Sequence, residues 1–111
     1  MDEELGNVIR EIVEKLRRDY NPLKVILFGS AADGKATSES DLDLFILKDT
    51  DKPRAERFIE VKRIIYDPKR KLAISPLVYT PQELKERLEL GDDFLIEIIT
   101  KGIVLYEREA G

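Results

Sequence analysis

Leu5, Val8, Ile9, Ile12, Val13 and Leu16 recur at spacings of three and four, the period of a helix with one apolar face. Asp2, Glu3 and Glu4 lead this segment and Lys15, Arg17 and Arg18 close it, which complements the helix dipole; Asn21-Pro22 ends it. Leu23 to Gly29 (LKVILFG) then forms a continuous apolar run of strand length, stopping at a glycine. Asp41 to Leu47 (DLDLFIL) reads as a second strand. Residues 48–53 (KDTDKP) read as a turn that places Asp51 or Lys52 near the next N-cap and Pro53 in the first helical turn. Ala55, Phe58, Ile59, Val61, Ile64 and Ile65 carry that helix to about Tyr66, where Asp67-Pro68 stops it. Lys71 to Thr80 (KLAISPLVYT) reads as a third strand, and Pro76 within it predicts a sheet edge or a bulge. Thr80-Pro81-Gln82-Glu83 has the order of a capping box with proline at the first helical position. Gly91 breaks the resulting helix, Asp92 or Asp93 caps another through Phe94, Leu95, Ile98 and Ile99, and Gly102 ends it before a short final strand, Ile103 to Tyr106. The pattern predicts an α/β (α+β) fold, a mixed sheet of three to four strands flanked by helices, with residues 1–111 as a single domain.

Composition narrows the chemistry. Charged residues make up 38% of the chain, above the ~25% usual for soluble domains, yet the net charge is only −4. No basic surplus marks a nucleic-acid groove, so no direct nucleic-acid partner is predicted. An acidic balance is still compatible with a nucleotide, because a bound divalent cation reverses the local field. The chain contains neither Cys nor His, which removes disulfides, thiolate metal sites and the commonest general base. Acid–base or metal chemistry therefore falls to carboxylates, lysine, tyrosine or hydroxyls. No apolar run approaches the ~20 residues of a membrane span, and the acidic start has no leader pattern, so a cytoplasmic protein without a membrane partner is expected.

Within this frame one stretch stands apart. Side chains on a strand alternate between faces, so Asp41 and Asp43 point the same way while Leu42 and Leu44 point into the core. Two like charges roughly 7 Å apart on one face repel unless a cation sits between them, and Mg²⁺ is commonly held by one or two carboxylates together with phosphate oxygens. Taken alone, such a pair also fits the solvent face of a strand. Gly29-Ser30 shifts the balance: glycine lets a backbone or ligand approach closely, and a turn after it offers N–H groups and a hydroxyl to phosphate. Ser30 equally suits an N-cap. Gly34 fits a turn, Lys35 fits a solvated loop lysine although it is also within reach of a phosphate, and Ser38 and Ser40 fit a loop or strand entry.

Together these residues form the pattern hhG-S-x10-D-x-D-h, with h apolar. It resembles the motif of the DNA polymerase beta-like nucleotidyltransferase superfamily, and the small size resembles its minimal nucleotidyltransferase (MNT) group. The order of elements and the segments VYTPQELKE and IITKGIVLYER extend the resemblance over nearly the whole chain. The resemblance implies nucleotide binding at Gly29 and Ser30, and Mg²⁺ (or Mn²⁺) coordination with a catalytic role at Asp41 and Asp43. It implies ATP as substrate and transfer of a nucleoside monophosphate to a hydroxyl of a partner protein. It further implies a toxin–antitoxin setting, with a HEPN-family protein as the partner of this antitoxin-like chain.

Two positions depart from the family pattern. The third carboxylate of a two-metal site falls, by counting back from Val78-Tyr79-Thr80-Pro81, on Ser75, which is neutral and a weak Mg²⁺ ligand. Asp67 before the strand and Glu97 in a later helix are the remaining acids that folding back can deliver. Where the family often has arginine shortly after Gly-Ser, this chain has Ala31, Ala32 and Asp33, and Asp33 repels a triphosphate if it faces one. Three readings follow: an active nucleotidyltransferase, a catalytically impaired nucleotide- and partner-binding module that acts by docking, and a scaffold subunit of a homo-oligomer. They differ in whether the chain turns over.

Overall fold

The computed structural model describes residues 3–34 and 41–109; Lys35, Ser38 and Ser40 lie outside them. Helix α1 (Glu3–Asp19) buries Leu5, Ile9, Ile12 and Leu16 along one stripe, with acids in its first turn and Arg17 and Arg18 in its last. The chain reverses through Asn21, whose φ of 53° lies in the left-handed region that asparagine tolerates better than most residues. Strand β1 (Lys24–Phe28) follows and passes directly into a 3₁₀ turn, Gly29–Ala31. Strand β2 (Leu42–Leu47) runs antiparallel to β1, with Phe28 opposite Asp43. Helix α2 (Arg54–Ile64) supplies the crossover that a parallel neighbour requires, and β3 (Ile74–Tyr79) pairs in parallel with β2. Helices α3 (Pro81–Glu89) and α4 (Asp93–Lys101) lead to β4 (Ile103–Glu107), which pairs antiparallel with β1.

The sheet is therefore mixed, four-stranded and ordered β3-β2-β1-β4. Its two faces carry separate apolar clusters. Leu42, Leu44, Ile46 and Val78 face α1 and α2, packing with Leu16 and Val61 among others. Ile26, Phe45 and Tyr79 face the other way, against Leu95 and Ile98 of α4 and Leu84 and Leu88 of α3. This alternation fixes the site. With Leu42 and Leu44 committed to the larger cluster, Asp43 stands on the α3–α4 face, and no one-residue slip of register is tolerated without burying it.

The sequence expectations hold element by element, with small shifts at the ends. Pro76 lies on the edge strand β3, where its missing N–H costs no ladder bond inside the sheet. The capping box at Thr80 and Glu83 forms with both reciprocal bonds, and Asp92 caps α4 by accepting from Leu95 N–H. Pro53 is itself the N-cap of α2 rather than a first-turn residue, because its extended ψ of 158° lies outside the helix while its carbonyl accepts from Arg57 N–H. That helix ends at Ile64, two residues before Tyr66.

One buried ion pair ties the layers together. Arg57 on α2 is buried and meets Glu83 on α3 through two bonds, 2.7 and 3.2 Å, while its Nε donates to Lys52 O and its Nη1 to Val78 O. Among the described residues no helix is long and apolar enough to cross a membrane.

Candidate functional site

At the end of the sheet where β1 stops, the chain is shaped around a carboxylate. Gly29 adopts φ +75°, and a Cβ there would stand 2.5 Å from Asp43 Oδ2. Glycine is thus required twice over, by its backbone conformation and by the acid packed against it. The 3₁₀ turn is held by Ala32 N–H and Asp33 N–H, both donating to Gly29 O at 3.1 and 3.2 Å, and is anchored by buried Ala31. Ser30 is exposed on this turn.

Asp43 is half-buried. Its carboxyl titrates above the usual carboxylate range, first because burial disfavours the ionised form and then because Asp41 adds a like charge. Among the described residues no lysine or arginine forms an ion pair with either acid. Asp41 is exposed, immediately before β2. Two hard oxygen anions, one of them desolvated and neither paired, are a donor set that fits a cation such as Mg²⁺.

A cleft of about 580 Å³ opens beside Asp43, between the sheet end and α4. Of the four residues singled out from the sequence, Gly29 and Asp43 line it, whereas Ser30, next to Gly29, and Asp41, two residues before Asp43, are not among its lining residues. Apolar walls come from Phe28 and Phe94, stacked edge to face with centroids 5.7 Å apart, and from Leu77 and Ile98. Polar groups come from Asp33, Ser75, Glu97 and Lys101.

Ser75 is the partner of Asp43 in the parallel register, on the same sheet face and lining the same cleft. The position counted from sequence for a third carboxylate is therefore spatially beside Asp43, and it carries a hydroxyl. Asp67 does not replace it: that residue accepts from Lys69 N–H and borders a separate cleft next to α1. Glu97 does reach the cleft of Asp43, but among the described residues no three acids come together as a metal-binding group. Asp33 faces the cleft, so the expected repulsion of phosphate is built in. Reading the sequence missed the contribution of α4, namely Phe94 and Lys101. The signal was available in part, since Gly102 ends α4 just where β4 must return along β1.

A mixed sheet with one acid on a strand and a second just before it, beside a glycine turn that ends the neighbouring strand, is the arrangement of a nucleotidyltransferase-type fold. Comparison with known proteins agrees. A family model described as "Nucleotidyltransferase domain" matches residues 9–106. A protein of Methanocaldococcus jannaschii named "Putative protein adenylyltransferase MJ1305" is 30% identical over 115 residues, spanning 98% of this chain and 77% of its own. The crystal structure of a "putative nucleotidyltransferase" from Sulfolobus solfataricus shares the fold with a TM-score of 0.63 at 23% identity, covering 95% of this chain and 82% of its own. The chain belongs to the nucleotidyltransferase domain family, of the polymerase beta-like, minimal type.

Proposed function

We propose that this chain binds a nucleoside triphosphate, with ATP as the substrate we favour, together with Mg²⁺ or Mn²⁺, and transfers AMP to a hydroxyl of a partner protein. The observation that carries the reading is the Asp43 carboxylate packed onto Gly29 beside a cleft, with Asp41 two residues away and, among the described residues, no lysine or arginine ion-paired to either. The name of the M. jannaschii relative supports a protein as acceptor.

In this reading Asp41 and Asp43 hold the cation, Gly29 leaves room for the phosphates and the Ser30 hydroxyl donates to them. A bound divalent cation would neutralise charge on the phosphates during transfer. The acceptor oxygen attacks the α-phosphorus, the α–β bridging P–O bond breaks, pyrophosphate leaves and the acceptor proton passes to solvent or a carboxylate of the cleft. The apolar walls, Phe28, Phe94 and Leu77, exclude water from the nucleoside end. The partner is a HEPN-family protein of a toxin–antitoxin pair in the cytoplasm, restrained by modification.

A second reading is favoured by Ser75: with a hydroxyl where a third carboxylate belongs, the chain acts by docking onto that partner and turns over slowly or not at all. One experiment separates the two. The protein is incubated with α-labelled ATP, Mg²⁺ or Mn²⁺ and a co-purifying partner, and compared with an Asp41→Ala/Asp43→Ala variant. Label on the partner that the variant abolishes establishes transfer. Absence of label with retained neutralisation of the partner by both proteins establishes docking. Equal labelling by both proteins overturns the assignment of the site.

A further inference from the structure

Lys101 is the one cation among the described residues lining the cleft, which it shares with the acids Asp33, Asp43 and Glu97. Its position is set by the sheet. Leu27 pairs with Ile103 in the antiparallel β1–β4 ladder, so the end of α4 reaches the sheet close to where β1 passes into the Gly29 turn, and Gly29 and Lys101 line the same cleft. The chain leaves the sheet there, but its exit is tightly held. Gly102 donates its N–H to Ile98 O at 2.9 Å, and a Cβ on Gly102 would stand 2.5 Å from that oxygen and 3.2 Å from Leu27 O. The end of α4 is thus pressed onto β1 next to the glycine turn, and Lys101 is carried on the last residue before the contact.

The side chain itself is free to move. Its partner is Glu97, one turn earlier on α4, at a loose 3.8 Å with both groups largely exposed. An exposed i,i+4 pair of this kind contributes little and yields readily to a stronger anion. The residues after Ser30, meanwhile, supply no cation as far as Gly34: Ala31 and Ala32 are neutral and Asp33 is negative. Among the described residues, the side-chain positive charge that the cleft offers a triphosphate comes from α4.

We infer that Lys101 is the phosphate-binding residue of this site, exchanging Glu97 for the triphosphate chain when the nucleotide binds. The inference rests on the nucleotide-binding reading above and assigns a residue within it. Ammonium–phosphate contacts are charge-assisted and carry more affinity than neutral hydrogen bonds.

The test is calorimetric titration with MgATP and, separately, with adenosine, which lacks phosphate. Lys101→Ala is expected to weaken MgATP about tenfold and to leave adenosine unchanged, with Lys101→Arg within about threefold of wild type. Glu97→Gln releases Lys101 and is expected to tighten MgATP by about two- to threefold. Lys85→Ala, on the exposed surface of α3, serves as the charge control, and thermal melting confirms that each variant folds. If wild type binds MgATP and Lys101→Ala binds it within twofold, the assignment of Lys101 is overturned while the site stands. If wild type does not bind MgATP at all, the nucleotide-binding reading fails and the inference with it.

Discussion

Asp43 and Gly29 occupy interlocking positions: the carboxylate Oδ2 lies where a side chain on residue 29 would begin, 2.5 Å from the missing Cβ. Gly29 also has φ +75°, as does Gly91 at +76°, but around Gly91 nothing lies within 4 Å of a built Cβ. The pair makes a controlled experiment. Gly91→Ala carries only the conformational cost, roughly 1 kcal/mol. Gly29→Ala carries the same cost and must also displace the Asp43 side chain. We expect similar losses of stability in denaturant titrations of the two variants, but at least a tenfold loss of Mn²⁺ and nucleotide affinity only in Gly29→Ala. Equal retention of binding by both would show that the Asp43 position does not matter.

Ser75 offers the opposite manipulation, a gain. It is exposed and stands directly across from Asp43 in the parallel ladder. Ser75→Asp places a third carboxylate beside the existing two. Without metal, the added like charge is expected to lower stability by about 1 kcal/mol, and saturating Mn²⁺ is expected to restore it, because a ligand held only by the folded state stabilises it. Thermal melts in chelator and in Mn²⁺ read this directly. A metal-induced rise no larger than that of wild type would mean that position 75 cannot join the cation site.

The Arg57–Glu83 bridge is a structural element remote from this chemistry. Glu83 is held below the usual carboxylate range, chiefly by the Arg57 guanidinium, and also accepts from Thr80 N–H. A carboxylate with a depressed folded-state pKa adds stability above its unfolded value, and that stability disappears as pH falls through the folded value. Acid unfolding curves of wild type and Glu83→Gln are therefore expected to differ near neutrality and to draw together only as pH falls below the unfolded glutamate value of about 4.3. Arg57→Leu leaves Glu83 and the carbonyls of Lys52 and Val78 without this donor, and a loss of about 2–3 kcal/mol is expected in urea titrations, scaled down from a fully buried pair because Glu83 keeps some solvent contact.

Local signals and long-range ones differed in how legible they were. Thr80-Pro81-Gln82-Glu83 and Asp92 encode their helix starts within four residues, and both caps form as written. The alternation of Leu42, Asp43 and Leu44 likewise fixed which face each of those side chains takes, because strand periodicity is a local property. Pro76 correctly announced an edge. The bond of Arg57 to Glu83 spans 26 positions and leaves no trace in either neighbourhood, so no pattern reveals that this arginine is buried. The convergence of α4 on the cleft is similar. Phe94 and Lys101 look like an ordinary apolar position and an ordinary helix-end lysine until folding sets them in the same cleft as Gly29. Ser75 lies between these cases: the count from Tyr79 located it, but only the parallel pairing places it next to Asp43.

Tyr20 provides a test of the core that is independent of the site. It is buried at the end of α1, and its hydroxyl has no hydrogen-bond partner among the described residues. Lys48 spans it, with Nζ 4.7 Å from the ring centroid and bonded to Tyr20 O at 2.5 Å. Burial, with a smaller push from Glu60, raises the phenol to about 12. Between about pH 10, where the unfolded chain's tyrosine loses its proton, and about pH 12, the unfolded state binds fewer protons than the folded one. Stability must therefore fall as pH rises through that window, by up to roughly 3 kcal/mol from this residue. Tyr20→Phe removes both the titration and an unsatisfied hydroxyl. The variant is expected to be about 1 kcal/mol more stable at pH 7 and to decline less steeply than wild type above pH 10 in guanidinium titrations. Parallel alkaline limbs for the two proteins would show that the Tyr20 hydroxyl reaches solvent or a partner in the folded state.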